Sequence, residues 1–504
     1  MFDLFSLLKK AKQLFKITDI LIVLGLIIVY FATRLVNITK FPIFSDEGIY
    51  IHWAKVAWHD ASWRFISLTD GKQPLQTWGT IPLLKLFPDN ALFAGRLFGV
   101  LTGFAALLGI FSLLYYLFGK KTACIGSLLY IFTPYFLFYD RFALVDSGVN
   151  AATIWILFFT IVLAETIRLD ISLIYGLLCG LALLAKSSVR IFLGMGVFAP
   201  ILFLEKKTKN FLAKLVNFVF LYGISSLIAL VIYNVQRLSP FFHYVAEKNK
   251  TFIVTPQELL KAPFMYFWGN IKDIPLFFSW EAGFILIVFG FIGWPLLYKR
   301  NKRLALYIAT WIIIPYIVIA FVTKVLFPRY IIFFASLFLI PAAYFLATVK
   351  NKFLLIATTL FFVTSFIYFD YPILFNFKNL PFPPVDRGQY VESWTAGWGI
   401  KDIMNYARQK SKDKPVVILA DGNFGLAGDV LDTYLKRNDR IEIRGYWPLG
   451  LPQFLENQKD LKNKYVYVVM AHELSYPSSW PLKLIQRYDK PGGKSVIYLF
   501  ELTK

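Results

Sequence analysis

Apolar residues in the first 370 positions come in long uncharged runs, not in the alternation of barrel strands. The runs lie near 17–37, 91–117, 121–139, 147–165, 171–185, 190–204, 211–233, 281–298, 304–323, 329–348 and 353–369. Runs of about 17–25 apolar residues can cross a hydrocarbon core of about 30 Å. Backbone polar groups cannot go unpaired in lipid, so such runs must be helices. The pattern predicts an all-α polytopic membrane protein with about eleven transmembrane helices. Its weakest breaks are at 165–170 and 186–190, both short. No internal repeat or low-complexity segment stands out.

After Asp370 the pattern changes. Pro381, Pro383 and Pro384 mark a linker. Beyond it, 416–419, 441–443, 465–470 and 495–499 read as strands, with helical stretches near 401–410 and 452–462. The expected organisation is a membrane unit over 1–370 and a small water-exposed α/β domain over 371–504.

Composition agrees with this reading. Of 504 residues, 57% are hydrophobic, 18% aromatic and 17% charged, too little charge to cover a soluble surface of this size. The net charge of +22 would suggest nucleic acid in a soluble protein. Here the basic residues fall in short inter-helix loops, so topology explains them and no nucleic-acid partner is expected. Contact with anionic membrane lipid remains open. Lys9, Lys10, Lys12 and Lys16 precede the first run, with no cleavage site after it, so that run should remain as a span. With eleven spans, these lysines fall on one side with Lys120–Lys121, Lys206, Lys207, Lys209, Lys299, Arg300, Lys302, Arg303, Lys350 and Lys352. That side is expected to be cytoplasmic, with the C-terminal domain outside; Arg168, beside Glu165 and Asp170, is the weak entry. Cys124 and Cys179 lie in apolar segments and imply neither a disulfide framework nor a Cys metal site.

The outer loops then carry the candidate chemistry. Asp46 and Glu47 sit together a few residues after the first span, followed by His52, Trp53, Trp58 and His59 at roughly helical spacing. Residues 46–59 fit an amphipathic interfacial helix. The two acids fit a general base or a metal ligand, or equally a helix cap through Ser45 or Asp46. Lys72, in Gly71-Lys72-Gln73-Pro74, is held extended by its position near Pro and could meet a phosphate, or be a plain surface lysine. Asp146 stands at the mouth of an apolar span, where a charge is either functional or a cap for the next helix. Lys186 and Arg329 are cations at outer span ends, where positive charge is less expected; both suit a phosphate, and both could simply anchor a helix. The long outer loop 234–280 contains 257–270, a candidate interfacial helix. His52 and His59 leave a divalent metal open without forming a compact ligand motif; no metal or cofactor is firmly implied. His243 and His472 are isolated.

Taken in order, Asp46-Glu47, Lys72-x-Pro74, Arg141 to Asp146 before the fourth span, and Arg329-Tyr330 opening a late span resemble the family 39-like glycosyltransferases. These include the protein O-mannosyltransferases and the lipid A aminoarabinose transferase, which share the GT-C membrane fold. The resemblance covers roughly 17–350. It implies a polyprenyl-phosphate-linked monosaccharide donor, inversion at the anomeric carbon, and a protein, lipid or glycan acceptor. By the same resemblance Asp46 is the general base, Glu47 its neighbour or orienting partner, and Asp146 a second acid at the mouth. Lys72 and Arg329 then face the donor phosphate, to which Lys186 is added as a further cation. The family usually has two prolines after the lysine, and here Gln73 takes the first place. No inserted β-trefoil repeats occur, which points to a prokaryotic relative in a plasma (inner) membrane. The rival class is a transporter or flippase of lipid-linked glycans, which calls for charges near the midplane and for repeat symmetry.

Overall fold

A computed structural model describes residues 17–204, 211–422, 424–472, 475–493 and 495–504. The lysines before position 17 and those at 206, 207 and 209 lie outside the described residues. Helices follow the eleven apolar runs in order. The first is α1 (Ile17–Leu35), and the long loop after it carries α2 (Ser45–His59) and α3 (Leu75–Leu86). Next come α4 (Ala91–Phe118), α5 (Lys120–Phe132), α6 (Pro134–Tyr139), α7 (Asp146–Thr166), α8 (Leu169–Leu183) and α9 (Val189–Met195), which runs on as a 3-10 helix to Phe203. The remainder are α10 (Phe211–Asn234), α11 (Tyr244–Phe252), α12 (Pro256–Lys261), α13 (Phe267–Glu281), α14 (Ile285–Arg300), α15 (Lys302–Val322), α16 (Phe333–Thr348) and α17 (Lys352–Ser365). Among the described residues six helices are individually long and apolar enough to cross a membrane, and α13 with α14 forms a further pair bent by 105°. The protein is a multi-pass membrane protein.

Local sequence accounts for the departures from plain spans. The run at 121–139 breaks because Pro134 lacks an N–H and forces Thr133 into an extended conformation, with ψ 122°. The expected helix at 257–270 is instead split into α12 and the start of α13. On α4, Gly99 and Gly103 face the segment after α6: a Cβ on Gly99 would lie 2.1 Å from the Phe142 carbonyl oxygen, and one on Gly103 2.3 Å from Asp140 Cγ. Only glycine admits that backbone so close, and the contact fixes the entry to α7.

The ends of the bundle differ in chemistry. At one end Lys120 pairs with Asp19, Lys121 donates to the Ala347 carbonyl, and Arg300 lies 5.7 Å from the Tyr344 ring. At the other end the loops carrying α2, α3, 140–146, 184–189 and 323–332 converge. The segment 371–399 crosses this face, and its Leu380, Phe382, Tyr390 and Val391 join the bundle's own apolar core.

Beyond it, α18 (Ile400–Lys410), β1 (Val416–Asp421), α19 (Gly428–Thr433), β2 (Ile441–Tyr446), α20 (Leu451–Asn457), β3 (Tyr465–Met470), β4 (Leu482–Asp489) and β5 (Val496–Leu502) form a small α/β unit. Its sheet has the order β2-β1-β3-β5-β4. β1 runs parallel to β2 and β3, with Val416 opposite Ile441 and Tyr465, while β5 is antiparallel to β3 and β4. β1 is buried along its whole length, as its unbroken apolar run dictates. β4, absent from the sequence reading, is an edge strand carrying Lys483, Gln486 and Arg487, the polar dress that protects edges. One sheet face shares a single apolar core with α18, α19 and the inner sides of α2, α3 and α4, so the unit is docked on the loop that holds Asp46 and Glu47.

Candidate active site

The start of α2 sets the site. Phe44, in an extended conformation, is its N-cap and offers no side-chain cap. The cap comes instead from Glu47, whose Oε2 accepts the Phe44 N–H at 2.9 Å. Neither Ser45 nor Asp46 caps the helix, contrary to that alternative in the sequence reading. Glu47 is fully buried: it accepts from Arg96 Nε and Nη2, both at 2.8 Å, and from the Ala143 N–H at 2.9 Å. Arg96 also donates to the carbonyls of Ile38, Phe41 and Pro42. Glu47 thus ties α2, α4, the loop before α2 and the segment after α6 together, and it has no face left for a substrate.

Its neighbour Asp46 points the other way, with its side chain 29% exposed, so a reactant can reach it. Lys72 Nζ lies 3.7 Å from Oδ1, and Arg329 Nη2 donates to Oδ2 at 3.3 Å. Burial alone would raise the Asp46 pKa, but Lys72, then Arg329, Lys248 and Lys186 outweigh it and hold the carboxyl below its ordinary range. Lys72 is half-buried, which disfavours its charge, yet Asp46, Tyr50 and Asp70 hold it above an ordinary lysine.

Lys72 owes its aim to the turn before it. Gly71, at φ +64°, closes the 3-10 turn Ile66–Asp70, and the Lys72 N–H returns to the Ser67 carbonyl at 3.0 Å. Gln73, at the place where the resemblance expects proline, donates to Ser187 Oγ, and the Leu75 N–H reaches the Leu184 carbonyl. The Lys72 loop is therefore stitched to the loop of Lys186. Lys186 Nζ donates to Asp146 Oδ1 at 2.7 Å and sits 4.1 Å from the centre of the Tyr330 ring. Asp146 is 3% exposed in the first turn of α7. Arg329 is the second residue of the turn Pro328–Ile331, donates to Gln389 Oε1 at 2.6 Å and to the Tyr390 hydroxyl at 3.1 Å, and lies beside the Phe44, Phe327 and Tyr330 rings.

Asp46, Lys72, Asp146, Lys186 and Arg329 are thus gathered on one face, and Glu47 stands behind them. Sequence reasoning passed over Asp70, which lies 2.6 Å from Lys248 and 3.5 Å from Lys72, and also Lys248, Gln389 and Tyr390. Phe138 packs on both Tyr390 and Phe382, and beyond that aromatic wall lies a groove of about 770 Å³ lined by Trp280, Tyr368, Leu380, Phe382 and Arg387. His52 and His59 do not converge: His52 Nδ1 is 3.0 Å from Asp432, and His59 Nδ1 is 2.8 Å from the Lys55 carbonyl. Among the described residues no three of His, Cys, Asp and Glu gather as metal ligands.

A helical membrane bundle with a small α/β unit docked at one end has the architecture of the GT-C membrane glycosyltransferases. The family described as dolichyl-phosphate-mannose-protein mannosyltransferase matches residues 72–233. ArnT from Cupriavidus metallidurans in the apo state matches with a TM-score of 0.58 at 15% identity, over 95% of this chain and 97% of that one. The same protein bound to undecaprenyl phosphate gives a TM-score of 0.59 at 14% identity, with the same coverage. The Archaeoglobus fulgidus oligosaccharyltransferase, in complex with Zn and sulfate, gives a TM-score of 0.51 at 13% identity, over 89% of this chain and 67% of that one. No curated protein matches the chain by sequence.

Proposed function

We propose that the protein is an inverting membrane glycosyltransferase that moves a monosaccharide from a polyprenyl-phosphate donor to an acceptor hydroxyl on its outer face. The observation that carries this reading is Asp46, an accessible carboxylate held between Lys72 and Arg329. Around it, Lys72, Lys186, Lys248 and Arg329 form ion pairs with Asp46, Asp70 and Asp146, and cations gathered in this way suit the negative charge of a phosphodiester. The bound undecaprenyl phosphate of the Cupriavidus protein bears on the same donor class.

In the reaction Lys72, Arg329 and Lys186 take the donor phosphate oxygens. Drawing Lys72 and Arg329 onto the phosphate loosens their hold on Asp46, whose basicity then rises where it is needed. Asp46 accepts the acceptor hydroxyl's proton as that oxygen bonds to the anomeric carbon from the side opposite the phosphate. The bond from anomeric carbon to phosphate oxygen breaks, and its electron pair leaves with the polyprenyl phosphate. The additional negative charge on that phosphate is met by the same cations, already oriented. One base suffices, because phosphate departs without an acid. Glu47 positions Asp46 through α2 and touches no reactant.

Purified protein is assayed with a radiolabelled panel of polyprenyl-phosphate monosaccharides, wild type beside Asp46→Asn. Sugar release that falls by about 10² or more in the variant supports the base, since such groups contribute about 10²–10⁴-fold. Equal rates reject it. Labelled lipid that crosses liposomes without being cleaved identifies a transporter instead.

A further inference from the structure

We propose that the outer α/β unit carries a saccharide-binding platform that seats a glycan acceptor for the site at Asp46; this rests on the transferase reading above. β1, β2 and β3 are parallel and end level, with Asp421 opposite Tyr446 and Ala420 opposite both Gly445 and Val469. In parallel sheets ligands bind beyond the carboxyl ends of the strands. Each of these three ends carries a ring: Phe424 after β1, Trp447 after β2 and His472 after β3. Trp394, from the segment crossing the site face, completes the set. His472 lies 4.9 Å from Trp394 and 5.5 Å from Trp447, ring centre to ring centre. A Cβ built on Gly422 would come within 3.9 Å of His472 Cε1, which brings the β1 end to the same cluster.

These rings are not core. Trp447 is 68% exposed, Phe424 49% and Trp394 47%, a concentration of exposed aromatic surface at one end of the sheet. Polar capacity is buried among them. Asp421, 3% exposed, uses Oδ2 to accept the N–H groups of Ala471 and His472, while its Oδ1 has no hydrogen-bond partner among the described residues. A sugar ring offers the matching chemistry, a flat C–H face for stacking and hydroxyl donors for a waiting carboxylate oxygen.

The platform is continuous with the reaction site. Phe424 lies 6.1 Å from the Trp53 ring, and the Lys72 ammonium sits 5.5 Å from the same ring. Gly425 approaches Ser45, the residue before Asp46, with a built Cβ at 3.0 Å from its Oγ. A saccharide stacked on Phe424 therefore lies beside the segment that carries Ser45 and Asp46. A peptide that added to the sheet as a strand would pair with an edge, and the edges are β2 and β4, not the strand ends.

Saturation-transfer difference NMR on the full-length protein in detergent, without donor, tests this with a panel of methyl glycosides, their di- and trisaccharides, and a control set of Ser/Thr peptides. The expected result is transfer to saccharide C–H protons in wild type and in Asp46→Asn. It should weaken at least tenfold in Trp447→Ala and Phe424→Ala and recover in Trp447→Phe. Saccharide binding here, together with no sugar release from any donor in the radiolabelled assay, would sink the transferase reading and leave the platform standing. No saccharide signal in wild type, signal indifferent to both alanine variants, or signal from the peptides alone overturns the platform.

Discussion

Asp46 and Glu47 are adjacent and chemically alike, yet their surroundings assign them opposite work. Glu47 has four hydrogen bonds and no exposure; Asp46 has two cations and an open side. The assignment has a pH signature. A base acts only when deprotonated, and the cations hold Asp46 below the usual carboxylate range of about 4. Activity in the free enzyme should therefore persist as pH falls through that range and fail only below it. Lys72 is the largest of the lowering influences, and burial pushes in the opposite direction. In Lys72→Gln the acid limb of kcat/KM should move to higher pH, so that loss relative to wild type is greater at about pH 5 than at about pH 8. A variant with a uniform loss at every pH would mean that Lys72 binds phosphate without governing Asp46. The charged members of this site were legible in the sequence because ionised side chains are conspicuous among apolar loops. Gln389 and Tyr390 were not, since both follow a proline-rich stretch and their link to Arg329 crosses about sixty residues. The pairing of Asp70 with Lys248 had no local signal either.

Elements here are joined by buried polar bonds as much as by apolar packing. The Glu47–Arg96 pair, 0% and 1% exposed, holds α2 to α4 and takes in the loop before α2 and the segment after α6. Removing one partner strands the other charge, at a cost of about 3–5 kcal/mol. Glu47→Gln is therefore expected to lower the thermal unfolding midpoint of the detergent-solubilised protein markedly, whereas Asp46→Asn should leave it near wild type while abolishing turnover. Two variants with equal midpoints would contradict the division of labour. Element boundaries show what periodicity alone can read. The long apolar runs predicted their helices well, because burial in lipid demands the same uniform pattern that makes them visible. Thr133–Pro134 interrupts one run by a backbone effect that hydrophobicity does not register. β4 was invisible because an edge strand with Lys483, Gln486 and Arg487 lacks an apolar face on the scale of a sequence window.

At the scale of the whole molecule, membrane sidedness decides whether the site can work at all. For the proposed transfer, Asp46, Lys72, Asp146, Lys186 and Arg329 must share one compartment with the acceptor. The docking of the α/β unit on α2 puts that unit in the same compartment. The opposite end gathers Lys120, Lys121 and Arg300, and short loops rich in Lys and Arg remain cytoplasmic. The face carrying Asp46 should then be extracytoplasmic, and single cysteines can read this directly. The chain has two native cysteines, Cys124 and Cys179, the second buried, and both can be replaced by Ala to clear the background. Ser62, Asn438 and Lys302 are exposed, the first two on the site side and the third beside Arg300. A membrane-impermeant maleimide applied to intact cells should label Ser62→Cys and Asn438→Cys, and should reach Lys302→Cys only after permeabilisation. Inverted labelling at all three would move the reaction to the cytoplasmic face and exclude an extracytoplasmic acceptor. Labelling that separated Ser62 from Asn438 would part the α/β unit from Asp46, and neither the shared core nor the platform's place beside Asp46 would survive that result.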